Sequence, residues 1–318
     1  MKSLIKMFDK LFPFLTPVFL FCGLFLGSTV GQFVSIVPWL FALATFIGSL
    51  KIDFKTFAQT IKKPKGILIA MLMLRIVMPV VALIFGWIFF PNDVYTQIGL
   101  LLFGMLPIAI SSVLWTMITK GNVSLALSVV LLDTVLTPIA LPLTILLLTG
   151  ESIELDTIGM MRSLLFMVVL PSLAGMCLNQ FVKGEFGTRM SAKLAPLSKM
   201  CILLVIFING GNIRQFFPPV DWYLMGIMLS IAVLAVLGYL FSWGLAKWVK
   251  LSDDDAKAVV FSGGMRNMST GVIIAVAYFP PAAAIPMVTG IFFQQMVCAA
   301  IAKLIERYYG EKVTLNQE

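Results

Sequence analysis

The sequence predicts an all-α integral membrane protein of ten transmembrane helices. They form an inverted five-plus-five repeat with broken crossing helices 4 and 9. Three observations carry that expectation. The chain has 318 residues, 60% of them hydrophobic and 12% charged, against about 25% charged in an ordinary soluble domain. Its positive charges gather in alternate connecting segments. Short peptides of the first half reappear, in the same order, in the second.

Taken in order, the apolar runs fall at residues 11–31, 35–50, 67–90, 95–117, 123–149, 158–182, 197–210, 222–249, 256–278 and 283–304. Most approach the roughly 20 apolar residues that cross a bilayer. The first follows a basic start, Lys2, Lys6 and Lys10, as a signal peptide would. No small-residue cleavage site follows it and many more spans do, so it is expected to be retained. The connecting segments are short and polar, which leaves no room for a sizeable soluble domain.

The orientation follows from the lysines and arginines. With the N-terminus in the cytoplasm, the tails and even-numbered loops hold Lys51, Lys55, Lys62, Lys63, Lys65, Lys120, Lys183, Arg189, Lys193, Lys247, Lys250, Lys257, Lys303, Arg307 and Lys312 as well as the first three lysines. The opposite face holds Arg162 and Arg214 near its loops, with the acidic run Glu151, Glu154 and Asp156. This bias predicts cytoplasmic N- and C-termini and an even number of spans in the plasma (inner) membrane. The net charge of +8 then reflects topology, and no nucleic-acid partner is expected.

Two halves, residues 1–150 and 151–318, echo each other. GSTVGQF (Gly27–Phe33) closes span 1 and GMCLNQF (Gly175–Phe181) closes span 6. FIGSLKI (Phe46–Ile52) leaves span 2 and FINGGNI (Phe207–Ile213) leaves span 7. Five spans separate each pair, and an odd number turns the second copy upside down. Two such halves can exchange outward-open and inward-open states, which is the architecture of a secondary transporter. No Walker A pattern is present. The chain has no histidine, which excludes imidazole chemistry. Cys22, Cys177, Cys201 and Cys298 are dispersed in apolar segments and read as packing residues.

The polar residues inside spans define the candidate site. In span 4, GMLPIAISSVLW, Pro107 followed by Ser111 and Ser112 interrupts the helix. In span 9, FSGGMRNMSTG, Gly263 and Gly264 weaken helix while Ser262, Asn267, Ser269 and Thr270 supply polar groups. A broken helix in lipid needs partners for its freed backbone groups, and its half-helix N-termini suit anions. Small residues at tight helix contacts are the plainer alternative. Three ionisable residues lie within spans: Arg75, Asp133 and Arg266. Such charges usually face the bundle interior in pairs, so Asp133 is expected to partner one arginine, while Arg75 can also snorkel to an interface. Asp133 lies next to Pro138 and Pro142, expected helix breakers. Gln294 and Gln295 in span 10 can line a substrate cavity or bond between helices.

At these residues the chain resembles the bile acid:sodium symporter family, over nearly its whole length. LRIVMP in span 3 is similar to the family's stretch ending Met-Pro. KGNVSLALS (Lys120–Ser128) is similar to its Arg/Lys-Gly-Asn-Val start of span 5. SGGMRN (Ser262–Asn267) falls on its span 9 motif, Glu-x-Gly-x-Gln-Asn. The resemblance implies sodium-driven import of organic anions, from bile acids to small carboxylates such as pantoate. It also implies departures. The positions of the family's sodium ligands are Ser262 and Arg266 in span 9, Ser111 and Ser112 in span 4, Ala126 and Val130 in span 5, and Leu74 in span 3. A carboxylate, an amide and two hydroxyls are thus absent where a hard cation wants several oxygen ligands.

The expectation is that the Arg266 guanidinium holds the positive charge that sodium would bring, with Asp133 as candidate counter-charge. A uniporter, proton coupling through Asp133, and direct binding of the substrate anion by Arg266 all remain open. So does sodium coupling through other ligands. Substrate contacts are expected from Ser111, Ser112, Asn267, Gln294 and Gln295. No cofactor is expected, and the partners are a small organic anion and the bilayer, with no obligatory protein partner. An arsenite exporter of the same superfamily would carry a cysteine in span 4 and a carboxylate in span 9, and neither run has one. An enzyme is not expected, because Asp253-Asp254-Asp255 lacks Asp-Asp-x-x-Asp spacing and reads as a helix cap. A receptor that kept the fold without transport is a third alternative.

Overall fold

The computed structural model describes residues 15, 17–50, 64–149, 156–182, 186–214 and 221–315. Among them there is helix and no strand ladder, only one isolated β-bridge. Five helices are long and apolar enough to cross a membrane: Lys65–Phe89, Val123–Leu147, Ile158–Phe181, Arg189–Ile213 and Trp222–Trp248. Shorter apolar helices are Pro17–Leu26, Val34–Ser49, Val94–Met105 and Met268–Tyr278.

In chain order, α1 is Pro17–Leu26 and α2 is Val37–Ser49. Pro64–Leu72, a π-helical turn Met73–Val77 and Met78–Phe89 run on as α3. Helix α4 is Val94–Met105, α5 Ser111–Ile118 and α6 Val123–Thr149. Helix α7 comprises Thr157–Leu164, a second π turn Leu165–Val169 and Leu170–Phe181. Then follow α8 Phe186–Ile213, α9 Trp222–Trp248, α10 Asp253–Gly264, α11 Met268–Tyr278 and α12 Ile285–Leu315.

Local chemistry sets these boundaries. Side-chain oxygens cap the first turns: Asp93 accepts from Tyr95 N and Thr96 N at 3.0 Å each, Asp156 from Gly159 N at 2.8 Å, and Asp221 from Leu224 N at 2.9 Å. Each satisfies backbone donors that the helix leaves over. Both π turns stand just before a proline, Pro79 and Pro171. A proline cannot donate to the carbonyl four residues back and crowds it, and the wider turn absorbs that defect. The expected breaks at Pro138 and Pro142 do not occur: both prolines lie inside the continuous helix α6. Leu141 and Ile145 are fully buried on that helix, so packing outweighs the missing backbone bonds, as transmembrane helices allow.

The chain forms two compact units. The first takes Met1–Thr56, Val135–Pro219 and Ser269–Met287. There α8 lies at glycines against α1 and the short turn Ser28–Gly31 that follows it: a Cβ on Gly210 would sit 2.8 Å from Leu20 O, and one on Gly31 2.8 Å from Asn212 Cα. Gly27 turns the chain after α1 with φ 56° and ψ −133°, a combination open to glycine because it has no Cβ. Ser191 and Ser198 donate to Ile47 O and Ala44 O at 3.0 and 3.1 Å.

The second unit takes Phe57–Thr134, Val220–Met268 and Val288–Glu318. Its core joins α3, α5, α6, α9, α10 and α12 around Leu74, Ala126, Val130, Tyr239, Phe261 and Met265. Trp222 and Trp248 project at opposite ends of α9, 86% and 80% exposed, as an aromatic girdle at two membrane faces requires.

Candidate functional site: the crossing of two broken helices

The second unit contains two interruptions, and they meet. Helix α4 ends at Met105 because Pro107 forces the preceding Leu106 into an extended conformation, ψ 145°. Helix α5 starts at Ser111. Helix α10 ends at Gly264, Met265 is extended, and α11 starts at Met268. The two extended stretches pair as a bridge between Ile108 and Arg266. Ala109 N donates to Met265 O at 3.3 Å and Asn267 N to Pro107 O at 2.8 Å. Each break thus satisfies freed backbone groups of the other, the condition for non-helical backbone at membrane depth.

Glycine makes the close approach possible. A Cβ on Gly264 would overlap the Tyr239 ring, and one on Gly263 the Ser242 hydroxyl. Helix α9 therefore packs directly on the backbone of α10.

Asp133 anchors the crossing from α6. It is fully buried, and its Oδ2 accepts from Ile108 N at 2.8 Å. Its Oδ1 forms an ion pair with Arg75, which also donates to Asp133 O at 3.2 Å and to Met105 O at 3.3 Å. Arg75 thus ties the C-terminal end of α4, where a cation suits the helix dipole, to α6. The counter-charge expected for Arg266 belongs directly to Arg75.

Arg266 is 1% exposed and the largest fully buried side chain described. Its backbone N–H donates to Gln294 Oε1 at 3.1 Å. Its Nε, Nη1 and Nη2 have no hydrogen-bond partner among the described residues. Its bridge partner Ile108 is held by Asp133, and Asp133 pairs with Arg75, so three ionisable side chains gather at the crossing. Two guanidiniums against one carboxylate leave this cluster with one net positive charge.

The other expected site residues divide. Ser112 and Ser262 are fully buried with unpartnered hydroxyls, one in the first turn of α5 and one in the last turn of α10. Ser111 and Asn267 are half-buried at the two helix starts. Gln294 is buried against the Arg266 backbone. Gln295 is on α12, and its side chain lies outside the described residues. Leu74, Ala126 and Val130, where the family resemblance would put sodium ligands, are buried in one apolar cluster with Ile108 and Met265. Tyr239 and Ser242 had no signal in the sequence beyond interrupting an apolar run; what gives them importance is the glycine pair facing them.

The acidic run at α10 caps and fastens. Asp255 N donates to the Ser252 hydroxyl oxygen at 3.3 Å, capping the helix. Asn122 donates through Nδ2 to Asp255 Oδ1 at 2.6 Å and through its backbone to Asp254 O at 2.9 Å. The α5–α6 turn is thereby held to the start of α10.

The family model described as "Sodium Bile acid symporter family" matches residues 38–218. The chain is 37% identical to the uncharacterized protein YbaS of Bacillus subtilis (strain 168), over 93% of this chain and 97% of that one. It is 26% identical to the uncharacterized sodium-dependent transporter YocS of the same organism, over 90% and 88%. To the arsenical-resistance protein Acr3 of Alkaliphilus metalliredigens (strain QYMF) it is 23% identical, over 88% of each chain.

Proposed function

We propose a function from one premise: the chain belongs to the Sodium Bile acid symporter family. It is a multi-pass membrane protein and a secondary transporter, not an enzyme. The finer reading is our own. The protein carries organic anions, bile-acid-like or small carboxylates such as pantoate, by alternating access between inverted five-helix repeats. Ten spans with both termini cytoplasmic fit the lysine and arginine distribution. The crossing works without sodium, because the guanidinium of Arg266 holds a positive charge there permanently.

One observation carries this reading: a fully buried, unpartnered guanidinium at the bridge between the two broken helices. A sodium ion beside it would be repelled, and the apolar Leu74, Ala126 and Val130 offer it no side-chain oxygen. The starts of α5 and α11 add partial positive charge that favours an anion. Both carboxylate oxygens of Asp133 are engaged, which supports a structural role for it over proton carriage. A second reading, sodium coupling through other ligands, is favoured by the likeness to YocS, a relative named as a sodium-dependent transporter.

Uptake into proteoliposomes tests the proposal. Labelled taurocholate and pantoate are presented to the purified protein and to its Arg266→Gln variant. Saturable uptake of one of them, reduced in the variant, is the expected result. No uptake of any organic anion in correctly folded protein overturns it.

A further inference from the structure

The five N–H donors of a guanidinium have no acceptor at Arg266 among the described residues. Two acceptors at the crossing already serve other donors. Gln294 Oε1 takes the N–H of the Arg266 backbone, and Asp133 takes Ile108 N and Arg75. An unpaired cation taken out of water is among the costliest arrangements a protein can hold. The cluster carries one net positive charge, so one negative charge completes it. Each broken helix also carries a buried hydroxyl without a partner, Ser112 in the first turn of α5 and Ser262 in the last turn of α10. The site is tight, with Arg266 1% exposed and the Tyr239 ring against Gly264.

We propose that Arg266 binds a small monovalent anion, a halide or a carboxylate, as its counter-charge at the helix crossing. This rests on the reading of Arg266 as a fixed cation there, and it adds a ligand to that cation. Between rounds of transport a halide fills the place; a transported carboxylate displaces it.

The test needs no transport. Chloride binding to the purified full-length protein in detergent is followed by the 35Cl NMR linewidth, and labelled acetate binding by equilibrium dialysis. The expected result is chloride broadening that acetate and pantoate remove. Arg266→Gln should weaken binding by about 10- to 100-fold, and Arg266→Lys should retain part of it. Acetate binding without chloride broadening, lost in Arg266→Gln, assigns the site to carboxylates alone and still supports it. Should Arg266→Gln fail to fold, Ser262→Ala and Ser112→Ala serve, each weakening binding severalfold. Binding of neither anion, or binding unchanged in these variants, overturns the proposal. Because uptake is not measured, failure here leaves the transport reading standing, and failed uptake leaves this one standing.

Discussion

Replacing Asp133 with asparagine isolates the ion pair that organises the crossing. The side chain is fully buried, and its carboxylate joins Arg75 on α3 to the backbone of Ile108 in the break. Asparagine keeps an acceptor for Ile108 N but removes the charge. Arg75 then faces Arg266 in a cluster with two net positive charges instead of one. Removing one partner of a buried pair costs about 3–5 kcal/mol. Arg75 retains 14% exposure and its bond to Met105 O, so water and the α4 terminus share its charge and about 3 kcal/mol applies. In a chain of this size each kcal/mol moves the melting temperature by about 2 °C, so the variant should melt ~6 °C lower. The assay is thermal unfolding in one detergent, followed by tryptophan fluorescence. Removing both charges, in Arg75→Met with Asp133→Asn, should recover more than half of the loss. A single-variant shift below about 2 °C, or a double variant no better than the single, would refute the reasoning.

Two further perturbations address the packing and the outer edge. Gly264→Ala puts a Cβ into the Tyr239 ring, so α9 and α10 must part. The expected cost is about 1–3 kcal/mol with reduced uptake, and Tyr239→Leu in the same chain should restore part of the stability; an unchanged melting temperature would contradict this. Asp93, at the start of α4, is pulled in two directions. Burial raises its pKa, but bonds from Tyr223, Thr96 and the Thr96 and Tyr95 backbone together hold it below its ordinary 3.8. A carboxylate depressed on folding stabilises above the unfolded value and loses that contribution as pH falls through the folded one. The gap between the parent protein and Asp93→Asn, which keeps the cap, should therefore be full at neutral pH and narrow only below 3.8. A gap that widens on acidification would contradict the assignment.

Both breaks were legible because their causes are local: Pro107 fixes one, and the Gly263-Gly264 pair permits the other. That the breaks pair through Ile108 and Arg266 was not, since sequence carries no register between spans so far apart. Which of Arg75 and Arg266 partners Asp133 stayed open in the sequence for a related reason. Arg75 is the central residue of the π turn Met73–Val77. Its sequence mark is Pro79, four residues on, whose missing N–H frees the Arg75 carbonyl. Pro138 and Pro142 misled in the opposite sense, because each removes one backbone bond while burial of Leu141 and Ile145 holds α6 together. Gly27 reads as an ordinary small residue in GSTVG until its positive φ is seen. The buried hydroxyls of Ser112 and Ser262 were visible as polar residues in apolar runs, but their lack of partners is a property of the packed structure.

The central claim is that a fixed guanidinium stands where the family resemblance implies a sodium ion. The most direct measurement is the initial rate of organic-anion uptake into proteoliposomes in sodium buffer and in potassium buffer, with no other gradient. The account predicts equal rates in the two buffers for the parent protein. Strong stimulation by sodium would contradict it and return the site to ligands other than those at the Arg266 crossing.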